Sequence, residues 1–278
     1  MTQPPTKCIF CGLAGPLTNE HIWSRWTHRF IPKSTKNYRS LRVTSHQERS
    51  DFKVFKRPGD IQDWKVRCVC GVRCNNGWMR KSIDEPARNV LVPLIKGEST
   101  RLTPDQQLVI AAWATLKAMV AEYDRSGQVV THHMQRKFLM NTHKPPTKGW
   151  AVWIGHHVRT PKGTFHWGTF PALIIPDEVA AKRKSNKATY YNSAATSWIV
   201  GQLFMQIIRS PHRKLISQWK FHTPNGGTLY RIWPPSNISI VWPPKSMTAR
   251  DVDYVIGAFK EYLERTAHAS VPKFAKMS

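Results

Sequence analysis

The sequence predicts an α+β protein in which a zinc-stapled N-terminal unit precedes a mixed helix and antiparallel-sheet domain, and three observations predict it. The cysteines fall in two groups within the first 74 residues. A strongly capped helix opens at Thr103. Beyond residue 150 come short runs rich in β-branched and aromatic residues, punctuated by Pro, Gly and Asn. A chain of 278 residues is long enough for two modest domains, and the change in character places them at 1–97 and 98–278.

The first group is Cys8-x-x-Cys11 and the second Cys70-x-x-x-Cys74, with Cys68 just ahead of it. Two cysteine pairs far apart in sequence suit tetrahedral zinc, because each turn aims two thiolates at one point. Cys8, Cys11, Cys70 and Cys74 are the expected ligands, and Cys68 is a rival because the second spacing is irregular. Residues 22–69 alternate basic and aromatic side chains and break at Pro58-Gly59, which predicts loops and short strands. Over 75–95, Trp78, Ile83, Val90 and Leu91 recur at helical spacing; Pro86 should kink or restart the helix and Gly97 should end it.

Thr103-Pro104-Asp105 combines an N-cap residue, a proline at the first helical position and an acid in the first turn. The helix should reach about residue 123, with Val109, Trp113, Leu116, Val120 and Tyr123 as a core-facing stripe. Strands are expected at 150–155, 196–208, 229–233 and 238–242. Two Trp-Pro-Pro repeats, at Trp233 and Trp242, close the last two as a hairpin or neighbouring edge strands, since proline cannot donate to a central ladder. Thr248-Ala-Arg-Asp251 is a capping box for a final helix to about residue 263, with Val252, Val255, Phe259, Tyr262 and Leu263 inward. The tail from Ala267 is expected to fray.

The charge is large: 42 basic minus 17 acidic residues leaves +25, with a pI near 10.3. It is not a tail, because residues 1–100 hold 18 basic and 8 acidic residues and 101–278 hold 24 and 9. A polyanionic partner follows, most simply nucleic acid through phosphate neutralisation. An anionic membrane fits less well, for want of a lysine-faced amphipathic helix. The longest apolar run, 108–116, is too short to span a bilayer. The start, Met1-Thr-Gln-Pro-Pro-Thr-Lys7, lacks a secretory apolar stretch, so a reducing cytoplasm with thiol or metal-bound cysteines is expected. Residues 23–42 carry seven basic side chains, His28 among them, and no acid. Arg25, Arg29, Lys33, Arg39 and Arg42 are the expected phosphate contacts, with Trp23 and Trp26 packing inward. His132-His133 and His156-His157 have no carboxylate or cysteine at ligand spacing and should be solvated or pack locally.

Asn19-Glu20-His21 follows the first cysteine pair by a short loop, and Asn75-Asn76-Gly77-Trp78 starts at the last cysteine, so zinc should pin the two together. An imidazole, a carboxylate and a carboxamide suit one-metal phosphodiester hydrolysis. His21 can deprotonate water, while Glu20 and Asn75 offer oxygens to a hard cation such as Mg2+.

The run Cys8-Ile-Phe-Cys11, then Glu20-His21-Ile-Trp23, then Val69-Cys70-Gly-Val-Arg-Cys74-Asn75-Asn76-Gly77-Trp78-Met79 resembles the HNH (His-Me finger) endonucleases of phages and bacterial genomes. The resemblance covers about residues 5–95, including the stretch 83–97 that trails the signature. It implies a ββα-metal finger with His21 as general base and Asn75 holding the catalytic metal on its helix, or Asn76 if the helix starts one residue later. It also implies Glu20 as a metal ligand and a phage or mobile-element origin. The family's middle Asn has no counterpart between Pro58 and Arg67, where Gln62 and Asp63 are the nearest polar residues; that role is mainly structural. The long gap from His21 to Asn75 implies an insertion, a basic hairpin that meets DNA. The expectation is an endonuclease with structural Zn2+ and catalytic Mg2+ or Mn2+, cutting double-stranded DNA. Its alternatives are a zinc-stabilised nucleic-acid-binding protein without cleavage, or an RNA-directed protein.

Overall fold

The computed structural model describes residues 5–31, 33, 37–46, 49–124, 129–158, 165–172, 192–212, 216, 217, 219, 221 and 223–267, without the side chains of 37–58, 165–168, 170–172, 260 and 262–267. Strand β1, Leu17–His21, lies antiparallel to a later strand, Lys65–Cys70, with His21 opposite Lys65 and Leu17 opposite Cys70. Between them come a 3-10 turn at Arg25–Phe30, strands β2 (Asn37–His46) and β3 (Arg49–Pro58), and a 3-10 turn at Ile61–Asp63, which makes Lys65–Cys70 strand β4. β2 and β3 pair over their full length, Asn37 opposite Pro58 and His46 opposite Arg49. These ten-residue strands are longer than the short ones expected; the alternation of Leu41 and Val43, and of Phe52 and Val54, with basic residues is the period-2 pattern of a strand.

β4 runs directly into a π-helical segment, Gly71–Asp84, broken at Gly77 (φ −85°, ψ −118°), and on into α1, Glu85–Lys96. At Gly77 a Cβ would stand 2.9 Å from the Val72 carbonyl oxygen, so the residue must be glycine for the chain to close this tightly. Pro86 sits in the first turn of α1, where it restarts the helix.

Past Gly97 comes β5, Thr100–Leu102, and then α2, Pro104–Ala121, capped as expected. Thr103 Oγ1 accepts from the Gln106 amide at 3.3 Å and Gln106 Oε1 accepts from the Thr103 amide at 2.9 Å. Residues 110–120 of α2 are buried all round instead of along one stripe, because the helix is enclosed by the N-terminal unit on one side and a sheet on the other. That sheet is five-stranded and antiparallel, in the order β10-β6-β9-β8-β7. Its strands are β6 (Trp150–His156), β7 (Phe165–Ala172), β8 (Ser193–Val200), β9 (Leu203–Arg209) and β10 (Leu229–Trp233). α3, His133–Thr142, precedes it; β11, Ile240–Trp242, pairs with β5, and α4, Ala249–Ala267, follows. At α4, the Thr248 hydroxyl accepts from the Asp251 amide at 3.2 Å and Asp251 from the Thr248 amide at 2.9 Å. Val252, Val255 and Phe259 point inward; the side chains of Tyr262 and Leu263, and the chain from 268, lie outside the described residues.

The single strand expected over 196–208 is a hairpin. Gly201 adopts φ +59°, the left-handed conformation of a two-residue turn, and splits the run into β8 and β9. The turn docks on the end of α1. Gln202 donates its amide to Ile95 O at 2.9 Å and its side-chain nitrogen to Lys96 O at 2.7 Å, while Gly97 and Glu98 bond back to Leu94 O and Pro93 O. The hydrophobic core therefore continues across residue 97. Trp198 of β8 packs against Trp113 of α2 (ring centroids 4.7 Å) and Trp23 (6.1 Å), and Trp26 meets Trp113 at 5.6 Å, so both N-terminal tryptophans pack inward. His156 is buried between the Ser246 hydroxyl (2.8 Å) and Gln202 Oε1 (2.9 Å), and His132 caps α3, so both pack locally. Among the described residues no helix is long and apolar enough to cross a membrane.

A side chain at Gly201 tests this docking. Its Cβ would lie 2.4 Å from Ile95 O in a backbone conformation already costly for other residues. Gly201→Ala should lower unfolding free energy by about 1–3 kcal/mol. An unchanged denaturation midpoint would show that the hairpin does not dock.

Candidate metal centre and adjoining polar groups

The first cysteine pair sits in a tight turn that Gly12 permits at φ +73°. Gly12 donates to Cys8 O (2.9 Å), Cys8 to Leu13 O (3.0 Å), and Ile9 to Cys68 O (3.1 Å), which fastens the turn to β4. Arg136 of α3 donates to Ile9 O at 2.9 Å from behind. Cys70 ends β4 and Cys74 lies in the first turn after it. The sulfurs of Cys8, Cys11, Cys70 and Cys74 lie within 4.8 Å of one another, Cys8–Cys74 at 3.6 Å and Cys11–Cys70 at 3.7 Å. Zinc–sulfur bonds of about 2.3 Å at tetrahedral angles place sulfurs ~3.8 Å apart, so donor set and spacing fit a zinc ion. Contact with Cys74 pulls the Cys8 thiol down to about 4 and pushes Cys74 up, as expected of sulfurs sharing one proton where a cation would serve all four. Cys68 stands outside the group. It is fully buried, burial pushes its thiol up, and its carbonyl does the holding.

The centre brings the two polar segments together. Asn75 donates its side-chain nitrogen to Thr18 Oγ1 (3.1 Å) and Asn19 O (3.4 Å), tying the helical segment to β1; Asn76 is exposed. His21 ends β1 half-buried, with the His28 ring 5.8 Å from its own. Burial, then the positive charges of Lys65, Arg25, Lys117 and His28, pull its imidazole down to about 4. It is therefore neutral at pH 7.

Glu20 turns the other way. Successive strand residues face opposite sides of a sheet, so with His21 outward Glu20 points into the core. There Lys117 of α2, only 1% exposed, grips Glu20 Oε1 at 2.6 Å and donates to His21 O at 2.9 Å. Burial alone would lower the Lys117 amine; Glu20 and Asp84 outweigh it and raise it, so the pair is ionic. Asp84, at the end of the helical segment, accepts from Trp113 Nε1 (2.9 Å) and from the Ser24 hydroxyl. The carboxylate expected to bind a divalent cation is thus occupied by an ammonium. Among the described residues, the four cysteines are the group of Cys, His, Asp and Glu side chains spaced for a metal.

Sequence reasoning missed Lys117, Asp84 and Ser24. The available signal is a lone lysine inside the apolar run from Leu108 to Val120, a position that demands a buried counter-charge. Gln62, by contrast, does tether the loop. Its side-chain nitrogen donates to His28 O (2.8 Å) and Ile31 O (2.7 Å), holding the Arg25–Phe30 turn against the start of β4. Arg25, Arg29 and Lys33 are exposed; Arg39 and Arg42 lie on β2, their side chains outside the described residues.

Cys70→Ser should lose about one equivalent of zinc per chain by metal analysis, while Cys68→Ala should keep it. Equal loss from both would reinstate Cys68 as a ligand. Lys117→Met should lower stability by about 3–5 kcal/mol by stranding the Glu20 charge, and adding Glu20→Met should recover much of that in urea denaturation. A double variant as unstable as the sum of its singles would show that the charges do not act as a pair. Compared with known proteins, the chain matches no family model, no curated protein and no solved structure.

Proposed function

We propose that this chain is a nuclease that cleaves nucleic-acid phosphodiester bonds on an HNH-type arrangement, with His21 as general base. The observation that carries the reading is His21 itself. It is a neutral, half-buried imidazole at the end of a strand, with Lys65 and Arg25 beside it, on a strand–strand–helix unit stapled by four cysteines. A base must be deprotonated to work, and positive neighbours both keep it so and attract a phosphate. Asn75, bonded to β1, and the tether from Gln62 support the same arrangement. Zinc on Cys8, Cys11, Cys70 and Cys74 would be structural. With Glu20 held by Lys117, a catalytic Mg2+ or Mn2+ would rest on Asn75 and the substrate's own phosphate, and would stabilise the leaving oxygen. The exposed Arg25, Arg29 and Lys33 and the charge of +25 suit double-stranded DNA as the partner the resemblance implies.

The Glu20–Lys117 pair favours a second reading, a zinc-stabilised nucleic-acid-binding protein that does not cleave. Plasmid nicking separates the two. Wild-type protein with Mg2+ or Mn2+ should nick, and His21→Ala should be slower by at least about a hundredfold. Equal nicking by both defeats His21 as the base, and no cleavage by either, of plasmid or of RNA, defeats the enzyme reading. The His21 imidazole lies below its usual 6.5, at about 4, so the base stays available on acidification until about pH 4. The acid limb of the pH–rate profile should fall there. A limb near 6.5 would assign the base to another histidine.

A further inference from the structure

We infer that His28 is the second imidazole of this site, and that His21 and His28 together cleave RNA without a divalent cation through attack by the ribose 2′-hydroxyl. The inference rests on the nuclease reading with His21 as base, and puts RNA and a second imidazole in place of DNA and a divalent cation. The two rings stand 5.8 Å apart, tilted by 57°, close enough to hydrogen-bond different oxygens of one phosphate. Both are half-buried. His28 is also held in place. Its Nε2 lies 3.1 Å from Trp23 O, an acceptor, so that nitrogen carries the proton and Nδ1 is left to face a substrate. Its own carbonyl is gripped by Gln62.

Around the rings lie Lys65 and Arg25, whose charges act on His21, and Asp63, whose carboxylate feels both imidazoles and pairs with Lys65 at 3.1 Å. This places two imidazoles together with cations for the phosphate and one carboxylate paired to Lys65. Glu20 is committed to Lys117 and so offers no oxygen to a cation beside His21. Two imidazoles need no cation when the nucleophile belongs to the substrate. His21 takes the proton of the 2′-hydroxyl as the O2′–P bond forms; the P–O5′ bond breaks and the His28 imidazolium gives its proton to O5′. The products are a 2′,3′-cyclic phosphate and a 5′-hydroxyl, and Lys65 and Arg25 offset charge on the non-bridging oxygens. DNA lacks the 2′-hydroxyl and is inert to this step.

The test uses zinc-loaded full-length protein in resin-treated buffer without Mg2+ or Mn2+, a labelled single-stranded RNA, and the DNA of the same sequence. RNA should be cut to 2′,3′-cyclic phosphate ends and DNA should remain intact. His28→Gln and His28→Asn should each slow cleavage by at least about a hundredfold while keeping zinc content and melting temperature. Intact RNA, products with 5′-phosphate ends, or wild-type rates in folded His28 variants would overturn the inference. Mg2+-dependent nicking of DNA beside intact RNA would overturn it and leave the nuclease reading standing; no cleavage under any condition would overturn both.

Discussion

Four sulfur atoms held within 4.8 Å of one another are the constraint on which the N-terminal unit depends. Thiolates at that spacing repel, and thiols there would satisfy few of each other's hydrogen bonds, so the arrangement is favourable with a cation among them. The second pair lies at the β4–helix junction and the first in a turn fastened to β4, so one ion held there would join segments 59 and 66 residues apart. The register of β1 on β4 and the hairpin of β2 and β3 lie within the loop it would close, and Asn75, one residue past Cys74, reaches back to Thr18.

A second joint, buried Lys117, connects this unit to the body. A lone ammonium in the core would be costly, and Lys117 is held by Glu20, Asp84 and the His21 carbonyl. Because it bonds the backbone of His21 itself, the position of the proposed base is set by a helix nearly a hundred residues away. The same contact removes Glu20 from the surface. One residue of a Glu-His pair is therefore structural and the other is presented to solvent, a division that follows from the alternation of a strand.

The electrostatics agree with that division. Inward, each of the charges of Glu20, Lys117 and Asp84 has a partner. Outward, burial and then positive neighbours keep His21 neutral, and Arg25, Arg29 and Lys33 extend the positive surface. An imidazole kept uncharged by burial and then by cations is suited to an anionic substrate, since the cations' field attracts phosphate and discourages a proton.

Much was legible where chemistry is local. The cysteine spacing foretold the four-sulfur group, Thr103 and Thr248 foretold two helix starts, and Pro86 the restart of α1, because turns and caps are decided within a few residues. Other features were not. Strand β7 and helix α3 carry too little periodic signal, and the break at Gly201 is needed because its turn docks on α1. Lys117 meets Glu20 across 97 positions, and His28 meets His21 only because a 3-10 turn folds back under the tether of Gln62. By itself, then, the sequence determined the four-cysteine group, the caps and the positive charge. Only the tertiary structure decided which side of β1 faces water, and so which polar residues can do chemistry, because burial and counter-charge are properties of what packs against a strand.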